Sequence, residues 1–313
     1  MRVHAYASQP HYALHLRDLW NSLHPSLRGE WVGPMGSIPL GDGALVAAWS
    51  DALQIRRPFV YVEHGAGQQY RLKGSALLNG YSGSPGLTGA MGFLCPSEAV
   101  AARWRASYPS KPAVAVGAPS YIEPARLRGL PPRATVTFSF HWGAHPQIAE
   151  LNSVIDRFAP AMPAVVGRLR SMGIEVLATA HPRRMESAVW TRLEVPFLRD
   201  WPTVLERTTC YVVDNSSTAF EAVAAGRSVV FMRGTNWSDV HGPPRFDGDL
   251  PGPEVTDPGK LVAAIEDAMF HSRWAEARTR CVEKVYDGIV GQSARIGANA
   301  VGEMVAQRET MRR

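Results

Sequence analysis

"VDNSSTAFEAVAAGRSVVFM", residues 213–232, sets a polar elbow between two apolar runs. The run that leads into it, "CYVVD" (210–214), has the length and content of a buried strand, and "TAFEAVAA" is built of good helix formers. Gly226 supplies a helix stop, and "RSVVFM" begins another strand. Strand, turn, helix, strand is the repeating unit of a parallel α/β sheet. Asn215, Ser216, Ser217 and Thr218 therefore lie at a strand-to-helix turn. Ser216 or Ser217 can cap the helix there, and the unpaired N–H groups of its first turn carry a partial positive charge that suits phosphate. Ordinary capping accounts for one hydroxyl and leaves the other polar residues to be explained by the rest of the chain.

The same alternation continues outward. Strands "TVTFSF" (135–140) and "IEVLATAHP" (174–182) flank a helical stretch at 152–173. The first half reads as strand "RVHAYAS" (2–8), helix "HYALHLRDLWNSL" (11–23), strands "ALVAAWS" (44–50), "PFVYVEH" (58–64) and "GFLCPS" (92–97), helix "EAVAARWRASY" (98–108) and strand "AVAVGAP" (113–119). Short apolar runs ending in Gly, Ser or Pro suit buried parallel strands whose C-terminal ends carry the chemistry. Periodicity lapses at "SYIEPARLRGLPPRA" (120–134), where three prolines collect, and from about residue 259 the chain is helical. The spacing predicts an α/β protein of two Rossmann-like doubly wound domains, 1–122 and 135–290. A linker at 123–134 joins them, and a C-terminal helix at 291–313 is expected to pack back on the first.

With 45% apolar and 19% charged residues among 313, the chain reads as an ordinary globular protein. No run approaches the ~18 apolar residues of a membrane-spanning helix, and "MRVHAYASQPHYALH" lacks the apolar core of a secretory signal, so a cytoplasmic location is expected. The net charge of +5 favours an anionic partner. It is spread over "IRRP", "HPRR" and the terminal "MRR", which does not demand a surface dedicated to duplex nucleic acid. Cys95, Cys210 and Cys281 are far apart and suggest neither a disulfide framework nor a zinc ribbon.

His64, in "VYVEHGAGQQY", falls at the predicted C-terminal end of a strand, where α/β sheets keep catalytic groups. Its imidazole can accept a proton from a hydroxyl, and Gly65 and Gly67 would let a substrate approach the backbone; a loop histidine without chemistry is the bland alternative. His181 occupies the equivalent place in the second half and, with Arg183 and Arg184, offers donors for phosphate oxygens or forms a solvated basic turn. His141 follows "TVTFSF" on the same rim. "HYALH" (His11, His15) and "HWGAH" (His141, His145) place imidazoles four residues apart, yet neither has the adjacent Glu of the zinc-protease signature nor an acidic ligand set, so no metal is expected. Phosphate-loop, nucleophile-elbow and kinase signatures are absent from the sequence.

In this order the pieces resemble the CDP-glycerol glycerophosphotransferases, the teichoic-acid primase and polymerase family, which have the two-domain GT-B glycosyltransferase fold with domains facing each other across a cleft. "EHG" (63–65), "VGAP" (116–119), "TAHP" (179–182), "VVDNSSTAFEAVAAGRSVVF" (212–231), "LPGPEVTDPGKLVAAI" (250–265) and "YDGIVGQSARI" (286–296) follow the family's landmarks in register. The chain departs from them at Ser120, where Arg is usual after Gly-x-Pro, at Asn215, where Tyr is usual, and at "SFHW".

The resemblance implies an acceptor-side first domain and a donor-binding second domain. His64 would be the base, with Gly65 and Gly67 beside the acceptor. His181 would contact the donor phosphates with Ser216, Ser217 and Thr218, joined by Asn215, Arg183 and His141, while Glu221 is a candidate for the ribose. The implied reaction moves a glycosyl or glycerol-phosphate group from a nucleotide-diphosphate-activated donor to a hydroxyl on a glycan, polyol-phosphate polymer, protein or modified DNA, with no metal or cofactor. The alternatives are a sugar-nucleotide epimerase of the UDP-GlcNAc 2-epimerase type, which shares the architecture, and a non-catalytic nucleotide- or glycan-binding module.

Overall fold

A computed structural model of the chain describes residues 1–34, 36–67, 70–71, 77–78, 82–141, 153–182, 188–214, 216–234 and 250–311. It divides into two compact units. Unit 1 comprises Met1–Ala66, Tyr81–Tyr121 and Glu283–Arg313; unit 2 comprises Gly67–Gly80 and Ile122–Val282.

Unit 1 is built on six parallel strands, β1 (Val3–Tyr6), β2 (Arg28–Val32), β3 (Gly43–Val46), β4 (Phe59–Val62), β5 (Ala90–Cys95) and β6 (Ala113–Ala115), in the order β2-β1-β3-β4-β5-β6. The continuous apolar runs follow from this: β3, β4 and β5 are buried along their whole length because both faces of the sheet are covered. One face carries the helix Pro10–Ser22, which opens on Pro10 and buries Leu16 and Leu19. The 18-residue helix Ser293–Thr310 packs with it, its Val301, Met304 and Val305 entering the same core. Ser120 helps fix that helix: its Oγ accepts from Ala294 N at 2.9 Å and lies 2.8 Å from Ser293 Oγ. The opposite face buries Trp104, stacked on Phe93 with ring centroids 4.2 Å apart.

Unit 2 repeats the plan with β7 (Thr135–Phe140), β8 (Glu175–Ala180), β9 (Cys210–Val213), β10 (Ser228–Met232) and β11 (Glu254–Val255), all parallel, in the order β8-β7-β9-β10-β11. The helical stretch expected at 152–173 is broken into Ile155–Phe158, a 3-10 turn at Ala159–Ala161 and Met162–Ser171, as Pro160 and Pro163 lack the N–H that a continuous helix needs. The sequence reading missed β2. Its "RGEWV" is a mixed edge strand with exposed residues and shows no apolar run.

Residues 123–134, expected as a linker, belong to unit 2, and residues from 283 onward belong to unit 1, so the expected boundary at 290 moves back. The reason lies in Arg227. Its fully buried guanidinium donates to Leu205 O at 2.8 Å, Gly129 O at 2.6 Å and Ala125 O at 2.7 Å, which ties the helix Glu123–Arg128 and its following turn to the rest of unit 2. Of the prolines that suggested a linker, Pro124 lies in the first turn of this helix and Pro131 and Pro132 follow its C-cap at Gly129, so they do not detach it.

Two substitutions test these anchors. Gly117 has φ of +86°, and a Cβ there would stand 2.4 Å from Ile289 O. Gly117→Ala should destabilise by roughly 2 kcal/mol or more in urea denaturation. Arg227→Met should cost about 3 kcal/mol or more, because three carbonyls lose their donor at once.

Candidate functional site

In the order β8-β7-β9-β10-β11 the chain leaves β7 to one side and, after β8, returns on the other. The crevice past the C-terminal ends of β7 and β9 is where doubly wound sheets hold ligands. Four polar residues stand one step beyond four successive strands: His181 after β8, His141 after β7, Asp214 after β9 and Arg233 after β10. Pairing of Ala180 with Phe140 sets the two histidines side by side, with ring centroids 5.2 Å apart. His141 is buried and His181 half-buried.

Asp214 holds this rim together. It has no exposed surface, and its carboxylate accepts from His141 N at 2.8 Å, Val154 N at 3.1 Å and Ser153 Oγ at 3.0 Å. Its carbonyl accepts from Arg233 Nη1, while Arg233 Nε donates to Glu254 Oε1 at 3.0 Å and the guanidinium lies over the Phe231 ring. One carboxylate thus joins the end of β7 to β9, and one guanidinium joins β9 to β11.

The elbow follows Asp214. Thr218 donates its N–H and its hydroxyl to Ser216 Oγ, at 3.3 and 2.7 Å, and Tyr211 OH lies 3.0 Å from Thr218 Oγ1. Ser216 therefore does the local capping, and Ser217 makes no side-chain cap bond to the seven-residue helix Thr218–Ala224. All three hydroxyl residues are half-buried. Glu221 is buried, and its carboxylate accepts from Trp201 Nε1 at 2.6 Å. Asn215 and Arg183 lie outside the described residues.

Unit 1 has its own switch point, between β1 and β3. The helix after β1 brings in His11, Tyr12 and His15; Ala47 follows β3, and His64 follows β4. The His64 ring meets Tyr12 edge-on at 5.0 Å and lies 5.4 Å from His15. The His15 ring lies 5.6 Å from that of Tyr121, whose hydroxyl is 3.5 Å from His15 Nδ1. A hydrogen bond to the Ala47 backbone favours a ring N–H on His64 there, which leaves the second nitrogen the proton-accepting one in the neutral ring. Burial, reinforced by His64 and His11, lowers His15 to about 3. Burial and His11 lower His64 to about 4 against the Ala47 bond. Both imidazoles are neutral at pH 7. The spacing of "HYALH" thus gathers three histidines without a carboxylate ligand set, and among the described residues no group of three or more His, Cys, Asp and Glu is arranged to hold a metal ion.

Glu63 precedes His64 and points to the other face of the sheet, where Ser82 Oγ and Trp104 Nε1 donate to its carboxylate. Burial raises it to about 7 against those two bonds and the charge of Arg103. Gly65 and Gly67 both take positive φ, at 73° and 75°. At Gly67 the room for a side chain is filled by the Phe220 ring, 2.5 Å from where a Cβ would be, so packing within unit 2 already requires glycine there.

The structure brings His141 and His181 together with Ser216–Thr218 on adjacent strand ends of unit 2, and it gathers His64 with His11 and His15 in unit 1. Sequence reasoning missed Asp214, Arg233 and the closeness of His15 to His64. A usable signal was present, since each of the rim residues is the first polar one after an apolar strand.

No family model and no curated protein matches the chain. Solved structures do. A variant of the wall teichoic acid polymerase TagF soaked with CDPG superposes with a TM-score of 0.66 at 10% identity, over 98% of this chain and 89% of that one. A putative UDP-N-acetylglucosamine 2-epimerase from Listeria monocytogenes gives 0.61 at 12% identity, over 98% and 97%. The S. aureus MnaA–UDP co-structure gives 0.57 at 12% identity, over 94% of each chain. Two parallel sheets with alternating helices match these neighbours throughout. The chain has the GT-B fold. Identities this low carry the architecture and leave the reaction to be argued from the residues. No helix among the described residues is long and apolar enough to cross a membrane.

The titrations predict opposed pH limbs. His15 and His64 are depressed, so their contribution to stability is present above their ordinary 6.5 and is lost as pH falls toward 4 and 3. Glu63 is raised, so its contribution is present below its ordinary 4.5 and is lost as pH rises through about 7. Melting temperatures should show His15→Gln gaining on the unsubstituted protein as pH falls from 6.5 to 4, and Glu63→Gln gaining on it between pH 5 and 8.

Proposed function

We propose that the protein is a GT-B transferase that moves a glycosyl or glycerol-phosphate group from a nucleotide-diphosphate-activated donor to an acceptor hydroxyl. The observation that carries this reading is the His141–His181 pair at the switch point of unit 2, one strand end away from the Ser216 and Thr218 hydroxyls. Imidazole and hydroxyl groups at a parallel-sheet rim form a hydrogen-bonding surface suited to diphosphate oxygens. The Asp214 carboxylate accepts from three donors of its own unit, so its part is to orient the rim.

In this reading unit 2 binds the donor and unit 1 the acceptor. His181 and His141, with Ser216, Ser217 and Thr218, neutralise charge that develops on the leaving nucleotide phosphate, and His64 takes the proton of the attacking hydroxyl. The task falls to protein donors, with no metal or cofactor invoked. The similarity to TagF and to the 2-epimerase supports donor chemistry of the nucleotide-diphosphate class for both the transferase and its competitor.

CDP or UDP should raise the melting temperature, and His181→Ala should abolish the shift. With CDP-glycerol or UDP-GlcNAc as donor, His64→Ala and His181→Ala should each lower nucleotide release at least about 10²-fold with the fold preserved. Full activity in both variants contradicts the assignment. Conversion of the donor without any acceptor identifies an epimerase instead.

A further inference from the structure

The cluster His11, His15 and His64, with Tyr12 and Tyr121 around it, is more than one base requires. We propose that it is a phosphate site that binds its anion together with a proton, so that one of its imidazoles becomes a cation only in the complex. The inference rests on the transferase reading for its place in the reaction, but not for its test.

The geometry comes first. His11 and His15 share one helix face by their four-residue spacing, and the parallel strands deliver His64 to that face, so three imidazoles meet at the crevice where a doubly wound sheet holds ligands. Among the described residues, groups that face them include the Tyr12 and Tyr121 rings, the Ala47 backbone and one another. The neighbours that act on the charge of His15 are His64 and His11, and His11 acts on that of His64. His11 and His64 therefore disfavour a proton on His15, His11 disfavours one on His64, and burial disfavours it on both. A phosphate among them reverses the balance, because an adjacent anion favours the imidazolium. The proton is carried by His11 or His15, whose ring N–H then faces the phosphate, and His64 stays neutral and able to accept the proton of a hydroxyl. One N–H bond forms as a proton passes from solvent to an imidazole, and no covalent bond of the anion is made or broken.

The phosphate has two possible sources, the donor's diphosphate or a phosphate carried by the acceptor, and separate probes distinguish them. Calorimetric titrations of the full chain with glycerol 3-phosphate and with CDP are run at pH 6.5 in two buffers of different ionisation enthalpy, with glycerol as the uncharged control. Proton uptake with glycerol 3-phosphate assigns the site to the acceptor's phosphate, and uptake with CDP alone assigns it to the donor's. For the probe that couples, affinity should fall by up to about tenfold per pH unit as pH rises above neutrality. His15→Gln should weaken that binding at least tenfold and remove the buffer dependence; the half-exposed His11→Gln, checked by its melting temperature, guards against misfolding at position 15. His181→Asn should leave the coupling of glycerol 3-phosphate unchanged. The proposal is overturned if no probe shows buffer-dependent heat, if glycerol binds as well as its phosphate, or if neither variant at 11 or 15 reduces the coupling. None of these outcomes requires turnover, so loss of transferase activity and loss of this site are read separately.

Discussion

The second unit depends on one buried carboxylate. Asp214 stands at the end of a central strand with no surface exposed, which for an ion is tolerable only when its oxygens are fully engaged. Two backbone N–H groups and a hydroxyl engage them, and all three come from segments that a parallel sheet leaves loose, the exit of β7 and the entry to the next helix. Removing the charge would free the end of β7 and with it His141. The same residue leads into the elbow, and Arg233 grips the Asp214 carbonyl from the neighbouring strand. Structure and candidate chemistry therefore share one interaction.

The two units solve a common problem with different residues. In each, the strand order reverses once beside the first strand, and polar side chains collect at the reversal. Unit 2 fixes its rim with a hydrogen-bonded carboxylate and a guanidinium, and it presents imidazoles and hydroxyls. Unit 1 has neutral aromatic and imidazole rings packed edge to face, held by burial. The first arrangement is held by hydrogen bonds to one buried carboxylate, the second by burial and ring contacts. That division fits the proposed roles, donor phosphates held in one geometry by unit 2 and a hydroxyl deprotonated at His64 in unit 1.

The helix-end reading of the elbow needed the tertiary structure to refine it. Ser216 spends its hydroxyl on Thr218, and Thr218 is further tied to Tyr211, so the polar group at the turn is an internal network as well as a surface. Glu221 lay one helical turn further on in the sequence and looked available. Folding turned it toward Trp201, because the helix is short and its far side is the core. Similarly, Gly67 answers to the Phe220 ring.

Alternation of short apolar runs with amphipathic stretches determined the fold class, since buried parallel strands must be apolar on both faces and their crossovers must be helical. The same pattern determined that His141, His181 and His64 end strands, because polarity resumes where the sheet stops. Period and composition say nothing of which strands are neighbours, so the pairing of His141 with His181, the meeting of His15 with His64 across the chain, and the attachment of residues 123–134 by Arg227 were decided only by the tertiary structure. Those contacts join residues far apart in sequence, and the energy that selects them is shared packing and buried hydrogen bonding, which exist only once the sheets have formed.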